Sequence, residues 1–214
     1  MGWHVSELGF GAWTIGGGSY GEVADADAVQ AIETYLDAGG NFIDTARAYG
    51  ESERILGRVI KQRRCRDQII LSTKTGALDP REIRQQVETS LGLLQTDHVD
   101  VLHMHNPPDA PEDMNRLLEV FEALRGEGKI RAVAASIKGP NVTEHTVDLC
   151  RQYIDTGRID AIQLIYSIFR QRHRAIFDHA RSRGVALVVR TTLESGFLTG
   201  KYAPDHEFSD HRRR

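Results

Sequence analysis

Short apolar and β-branched runs alternate along the whole chain with longer segments of helical period, and that alternation leaves few folds open. Strands separated by helices pair in parallel, because a parallel neighbour is reached only through a crossover of about a dozen residues or more. The pattern predicts strands over Leu8 to Trp13, Asn41 to Ala46, Ile69 to Thr75, Val99 to His105, Ala132 to Ile137, Ala161 to Ser167 and Ala186 to Leu193. Their repeat of roughly 25 to 33 residues, without sequence identity between units, suits a barrel or a doubly wound sheet better than a solenoid.

Between the first two runs, Val29, Ile32, Tyr35 and Leu36 mark one helical face, and Gly39 and Gly40 end it. Asp79-Pro80-Arg81-Glu82 is a helix start: a capping carboxylate, a proline at the first helical position and a Glu three residues past the cap, ahead of Ile83, Val87 and Leu91. Further helices are read from Leu117, Val120, Phe121 and Leu124, from Val147, Cys150 and Tyr153, and from Ile176, Phe177 and Ala180. Gly126, Gly157 and Gly184 stand near their ends. A doubly wound nucleotide fold should carry a glycine-rich turn after its first strand. Gly9-Phe10-Gly11-Ala12-Trp13-Thr14 breaks that pattern at its last place, and Gly196-Phe197-Leu198-Thr199-Gly200-Lys201-Tyr202 is one residue short of a P-loop. Both near misses favour a TIM-type (β/α)8 barrel, with seven strand–helix units readable in one domain over 1–214.

At 214 residues the chain can bury one sizeable core, and its formal charge of −3 offers no field for phosphate backbones or acidic lipid. Nucleic acid and membrane are therefore excluded as expected partners. No apolar run approaches the roughly 20 residues of a spanning helix, and with no signal-peptide pattern the cytoplasm is the expected compartment. Cys65 and Cys150 stand far apart, outside any C-x-x-C spacing, and are expected to be reduced packing residues. Met1-Gly2 with Ser6 matches a loose acylation pattern, but the segment reads more naturally as the approach to the first strand. Arg212-Arg213-Arg214 reads as a solvated end.

Four polar side chains gather at or just past the ends of three successive predicted strands: Asp44 and Tyr49, then Lys74, then His105. In a barrel those ends share the face where catalytic groups collect. Alternation along the fourth strand puts His103 and His105 on one side and Asp100 and Met104 on the other. Taken singly, each has a plain reading as a cap, a wall residue, a surface charge or a core histidine. Together they are harder to dismiss, since a Lys and an Asp within apolar strands must be paired or exposed at a mouth.

The resemblance is specific at this point. Gly40-Asn41-Phe42-Ile43-Asp44-Thr45-Ala46, then Tyr49-Gly50, Ser52-Glu53 and Leu56-Gly57, resembles the aldo-keto reductase signature. Ser72-Thr73-Lys74, Asp100-Val101-Leu102-His103-Met104-His105-Asn106-Pro107, Gln163-Leu164-Ile165-Tyr166 and Gly196 to Tyr202 match later landmarks of that family. The resemblance implies reduction of aldehydes or ketones by NADPH, with Tyr49 donating a proton to the carbonyl oxygen, Lys74 supporting the tyrosinate, Asp44 holding Lys74 charged and His105 orienting the substrate oxygen. It also implies cofactor contacts from Trp13, Ser136, Gln163, Arg190, Thr191, Leu193, Gly196 and Lys201. Ile137 stands where the family commonly has Asn, and Arg190 where many members have an aromatic ring. Relative to that pattern the chain lacks the N-terminal hairpin and the eighth βα unit, so its first and seventh strands are expected to be open edges prone to self-association. The rival readings are a catalytically inactive fragment or partner-completed binding module, a metal-dependent hydrolase using His103 and His105, and a Schiff-base aldolase using Lys74.

Overall fold

The computed structural model describes residues 2–17, 22–139, 141–203 and 205–207; Met1 and Arg212-Arg213-Arg214 lie outside the described residues. The alternation read from the sequence is present as β1 (Phe10–Gly11), α1 (Asp25–Asp37), β2 (Phe42–Asp44), α2 (Ser52–Arg63), β3 (Ile70–Thr75), α3 (Pro80–Leu94) and β4 (Val99–His105). It continues as α4 (Pro111–Gly126), β5 (Ile130–Ser136), α5 (Glu144–Asp155), β6 (Ala161–Ile165), α6 (Phe177–Ser182) and β7 (Ala186–Arg190). The class is α/β, and the order of strands in the sheet follows their order in the chain. The chain forms two compact units, 1–134 and 135–214.

In the first unit β1, β2, β3 and β4 pair in parallel, with Gly11 beside Asp44, Asp44 beside Ser72, and Lys74 beside His103. This register brings the carboxyl ends of β2, β3 and β4 together. Each helix presents an apolar stripe: Ala28 and Ile32 on α1, Ile83, Val87, Leu91 and Leu94 on α3, Leu117, Leu118, Phe121 and Leu124 on α4. Each of these side chains larger than alanine contributes about 1.5–3 kcal/mol on burial. The α3 start is capped as its sequence predicts, the Asp79 carboxylate accepting from the backbone N–H groups of Arg81 at 2.9 Å and Glu82 at 3.1 Å. Helix α2 is an addition to the sequence reading. Its stripe of Ile55, Leu56, Val59 and Ile60 is buried, and it approaches α3 so closely that a Cβ on Gly57 would lie 2.1 Å from the Leu93 carbonyl oxygen.

At the start of β4 the fully buried Asp100 carboxylate accepts from the Leu71 N–H at 2.8 Å, from Arg66 at 2.9 Å and from Arg131 at 2.7 Å. The Arg131 guanidinium in turn lies under the Trp3 ring, 4.7 Å from its centroid, so the first residues of the chain are pinned to β5. In the second unit β6 and β7 pair in parallel from Ala161 beside Ala186 to Ile165 beside Arg190. Thr143 and Thr146 form a reciprocal capping box at the start of α5. Every residue of β6 is buried, whereas β7, of equally apolar sequence, stays partly open, with Val189 41% exposed. Replacing Asp100 by Ala should cost about 3 kcal/mol in urea unfolding, because it strands the buried Leu71 N–H and removes the carboxylate that faces Arg66. Asp100→Asn, which keeps an acceptor, should cost clearly less.

Candidate active site

Asp44 ends β2, Lys74 is the penultimate residue of β3 and His105 ends β4, as the sequence reading expects, and all belong to the first unit. Lys74 is among the most deeply buried large side chains, at 1% exposure. Its ammonium donates to the Asp44 carboxylate at 2.5 Å and to the Thr45 carbonyl at 2.7 Å. The other Asp44 oxygen accepts from the Ser72 hydroxyl at 2.8 Å. Burial opposes charge on Asp44, but the Lys74 ammonium, the His103 ring and the hydrogen bonds from Lys74 and Ser72 outweigh it, holding the carboxyl below its ordinary range.

Past β2 the chain continues along β3, with the Thr45 N–H bonded to the Ser72 carbonyl at 2.9 Å and the Arg47 N–H to the Lys74 carbonyl at 3.0 Å. That course returns Tyr49 to the end of β3. The Lys74 nitrogen lies 5.1 Å from the Tyr49 ring centroid. The His105 ring meets the Tyr49 ring edge-on at 5.9 Å, and Trp13, just past β1, lies on Tyr49 at 6.2 Å. An ammonium beside a phenol favours negative charge on the phenol oxygen, and an imidazole beside both can hydrogen-bond an oxygen presented to them. The arrangement can therefore deliver a proton to a polarised oxygen.

The remaining expected residues lie in the second unit. Ser136 and Gln163 are buried together, the Ser136 hydroxyl donating to the Gln163 side-chain carbonyl at 3.1 Å. Such an amide and hydroxyl pair is chemically matched to a primary carboxamide, the group a nicotinamide presents. Ile137, in place of the family's Asn, is buried, and its backbone carbonyl accepts from the Arg190 guanidinium at 3.0 Å. Thr191 has φ 62°, Glu194 φ 48°, Ser195 φ 56° and Gly196 φ 99°, so the segment after β7 is wound through left-handed conformations. Leu193 is 56% exposed, and the Lys201 ammonium stands 5.9 Å from the Tyr202 ring centroid. Two further groups have no role in the sequence pattern, Glu53 standing there only within the Ser52-Glu53 signature. Glu194 is held by Arg170 and Ser167, which keep its carboxyl below its ordinary range; Glu53 is held by Arg47 and Thr73. Among the described residues no group of three His, Cys, Asp or Glu side chains could hold a metal ion, so His103 and His105 have no third ligand there. Lys74 is paired with a carboxylate, and such a pairing favours the ammonium over the free amine a Schiff base requires.

Parallel strand–helix repeats with polar side chains gathered at the strand ends are a (β/α) architecture. The chain belongs to the aldo/keto reductase family, whose model matches residues 7–214. It is 34% identical over 218 residues to the aldo-keto reductase YhdN of Bacillus subtilis, covering 95% of this chain and 63% of that protein. It is 33% identical to the NADH-specific methylglyoxal reductase of Escherichia coli, covering 94% of this chain and 68% of that one. Among solved structures, the holo form of aldo-keto reductase AKR11C1 from Bacillus halodurans superposes with a TM-score of 0.81 at 30% identity, over 96% of this chain and 68% of that one. The chain thus spans about two thirds of the length of these relatives, the fraction ranging from 63% to 68%.

Because folded Asp44 titrates below the unfolded carboxyl's value of about 3.9, its contribution to stability is complete above that pH and is lost as pH falls through the lower folded value. Asp44→Asn should therefore lower stability at neutral pH by up to about 3 kcal/mol, the low end for a broken buried pair. The gap between variant and wild type should begin to narrow in thermal melts taken below the unfolded value and close only below the lower folded one.

Proposed function

We propose that residues 1–214 act as one catalytic domain that reduces small aldehydes or ketones to alcohols with NADPH in the cytoplasm. The observation that carries this reading is the Lys74 ammonium, 2.5 Å from the Asp44 carboxylate and 5.1 Å from the Tyr49 ring, with His105 against the same ring. Bound nicotinamide supplies the hydride. Tyr49 gives its hydroxyl proton to the carbonyl oxygen, so charge gathering on that oxygen is neutralised as it forms. Lys74 favours the phenolate left behind, and Asp44 keeps Lys74 charged and aimed. His105 hydrogen-bonds the same oxygen and fixes its direction. Gln163 and Ser136 would hold the carboxamide end of the cofactor, and Trp13, Arg190, Thr191, Leu193, Gly196 and Lys201 would complete its contacts.

Membership of the family supports the reaction class, and no helix among the described residues is long and apolar enough to cross a membrane. The Escherichia coli relative is named for NADH, so both reduced nicotinamides belong in the assay. The chain should also self-associate through exposed apolar side chains, Val189 on β7 and the nearby Leu193; sedimentation across a concentration series reads this directly.

The test is to titrate the chain with NADPH and NADH, following Trp3 and Trp13 fluorescence, then to add an aldehyde panel while watching nicotinamide absorbance. The expected result is binding with turnover, and in Tyr49→Phe unchanged binding with kcat reduced by about 10²- to 10⁴-fold. A folded chain that neither binds nor turns over would leave the inactive fragment or partner-completed module as the correct reading.

A further inference from the structure

Arg47 and Glu53 are six residues apart, and Tyr49 lies in the segment between them. Glu53, in the first turn of α2, is fully buried, and its two carboxylate oxygens are divided between two partners. One accepts from the Arg47 guanidinium, and the other accepts from the Thr73 hydroxyl at 2.7 Å. Thr73 is the neighbour of Lys74 on β3, with its side chain on the opposite face of the strand. Arg47 also donates its backbone N–H to the Lys74 carbonyl at 3.0 Å. Both ends of the Tyr49 segment are thus tied to the strand that carries the ammonium.

The segment is fixed from a third side. The Glu51 N–H donates to the Gly16 carbonyl at 3.1 Å, and a Cβ on Gly16 would fall 1.8 Å from the Tyr49 carbonyl oxygen, so the two stretches of backbone are in direct contact. A buried ion pair is a poor source of net stability, because a neutral pair of similar shape often serves as well. What a charged, hydrogen-bonded pair supplies is a defined geometry.

We propose that Glu53 is a positioning residue for Tyr49: with Arg47 and Thr73 it clamps the tyrosine's segment to β3, setting the phenol against Lys74 and His105. This rests on Tyr49 as the proton donor. It acts without touching substrate, and its loss should reduce the rate of the chemical step while leaving binding intact.

The decisive comparison sets wild type beside Glu53→Gln and the double variant Arg47→Met/Glu53→Gln, in which a neutral pair of similar volume replaces the charged one. The expected result is a kcat lower by about 10- to 100-fold in both variants, the order that a misplacement near 1 Å produces. KM and the NADPH dissociation constant should stay within about twofold of wild type. In the double variant the melting temperature should return towards wild type while kcat does not. Recovery of both would overturn the proposal and leave the pair as scaffold alone. If wild type itself turns nothing over, it is the reading of Tyr49 as proton donor that fails, and positioning is then read by NMR of ring-labelled tyrosine. The Tyr49 resonance, identified by its loss in Tyr49→Phe, should move towards that of free tyrosine in the double variant; an unmoved resonance would overturn the proposal.

Discussion

The Lys74 ammonium is the constraint from which the first unit's site follows. A lysine at 1% exposure inside a β-strand is tolerated only where its charge and its donors are met. Asp44 meets the charge, and it can do so because the parallel register of β2 and β3 sets Asp44 beside Ser72, two residues before Lys74. The Thr45 carbonyl meets a second donor. These demands also dictate what comes next: the chain past β2 keeps to the edge of β3 as far as Arg47, and that course delivers Tyr49. Acid, base and aromatic ring are brought together by one buried charge.

The elements most legible in the sequence were those with a single dominant signal. Val99–His105 is observed with the bounds the alternation gives, and Asp79 caps α3 as its pattern implies, while the Glu82 side chain accepts from the Gln86 amide instead of closing a capping box. The first strand is shorter than expected because Trp13 adopts helical angles and a 3-10 turn begins at Thr14. The sixth ends at Ile165 rather than Ser167 because Ser167 is drawn into a turn, its hydroxyl accepting from the Phe169 and Arg170 N–H groups. Helix α2 escaped notice because its motif residues invited a reading as signature rather than as structure. Its stripe includes Ser52 and Glu53, polar residues buried only because Thr45, Arg47 and Thr73 meet them.

The four catalytic candidates were legible for a related reason. Each breaks the apolar character of a strand or stands just past its end, so each is conspicuous in one dimension. The charged pairs that fix neighbouring segments are not. Arg47 and Glu53 resemble ordinary helix-end charges, and in the second unit Arg170 and Glu194 stand 24 residues apart without any periodic signal. The left-handed backbone at Thr191, Glu194 and Ser195 has no composition signal either, since none of these is glycine.

Strand β3 shows how support and chemistry divide between the two sides of one element. Alternation sends Lys74 to one face, where it meets Asp44, and Thr73 to the other, where it meets Glu53. A change on the α2 side therefore reaches the site through a strand paired on both edges, with little freedom to absorb it. Ser72 shares the Lys74 face and bonds Asp44, so three successive residues fix the carboxylate, the clamp and the ammonium. The Ser72-Thr73-Lys74 run is thus explained residue by residue: the first and last hold the charge pair, and the middle one anchors the segment that carries Tyr49.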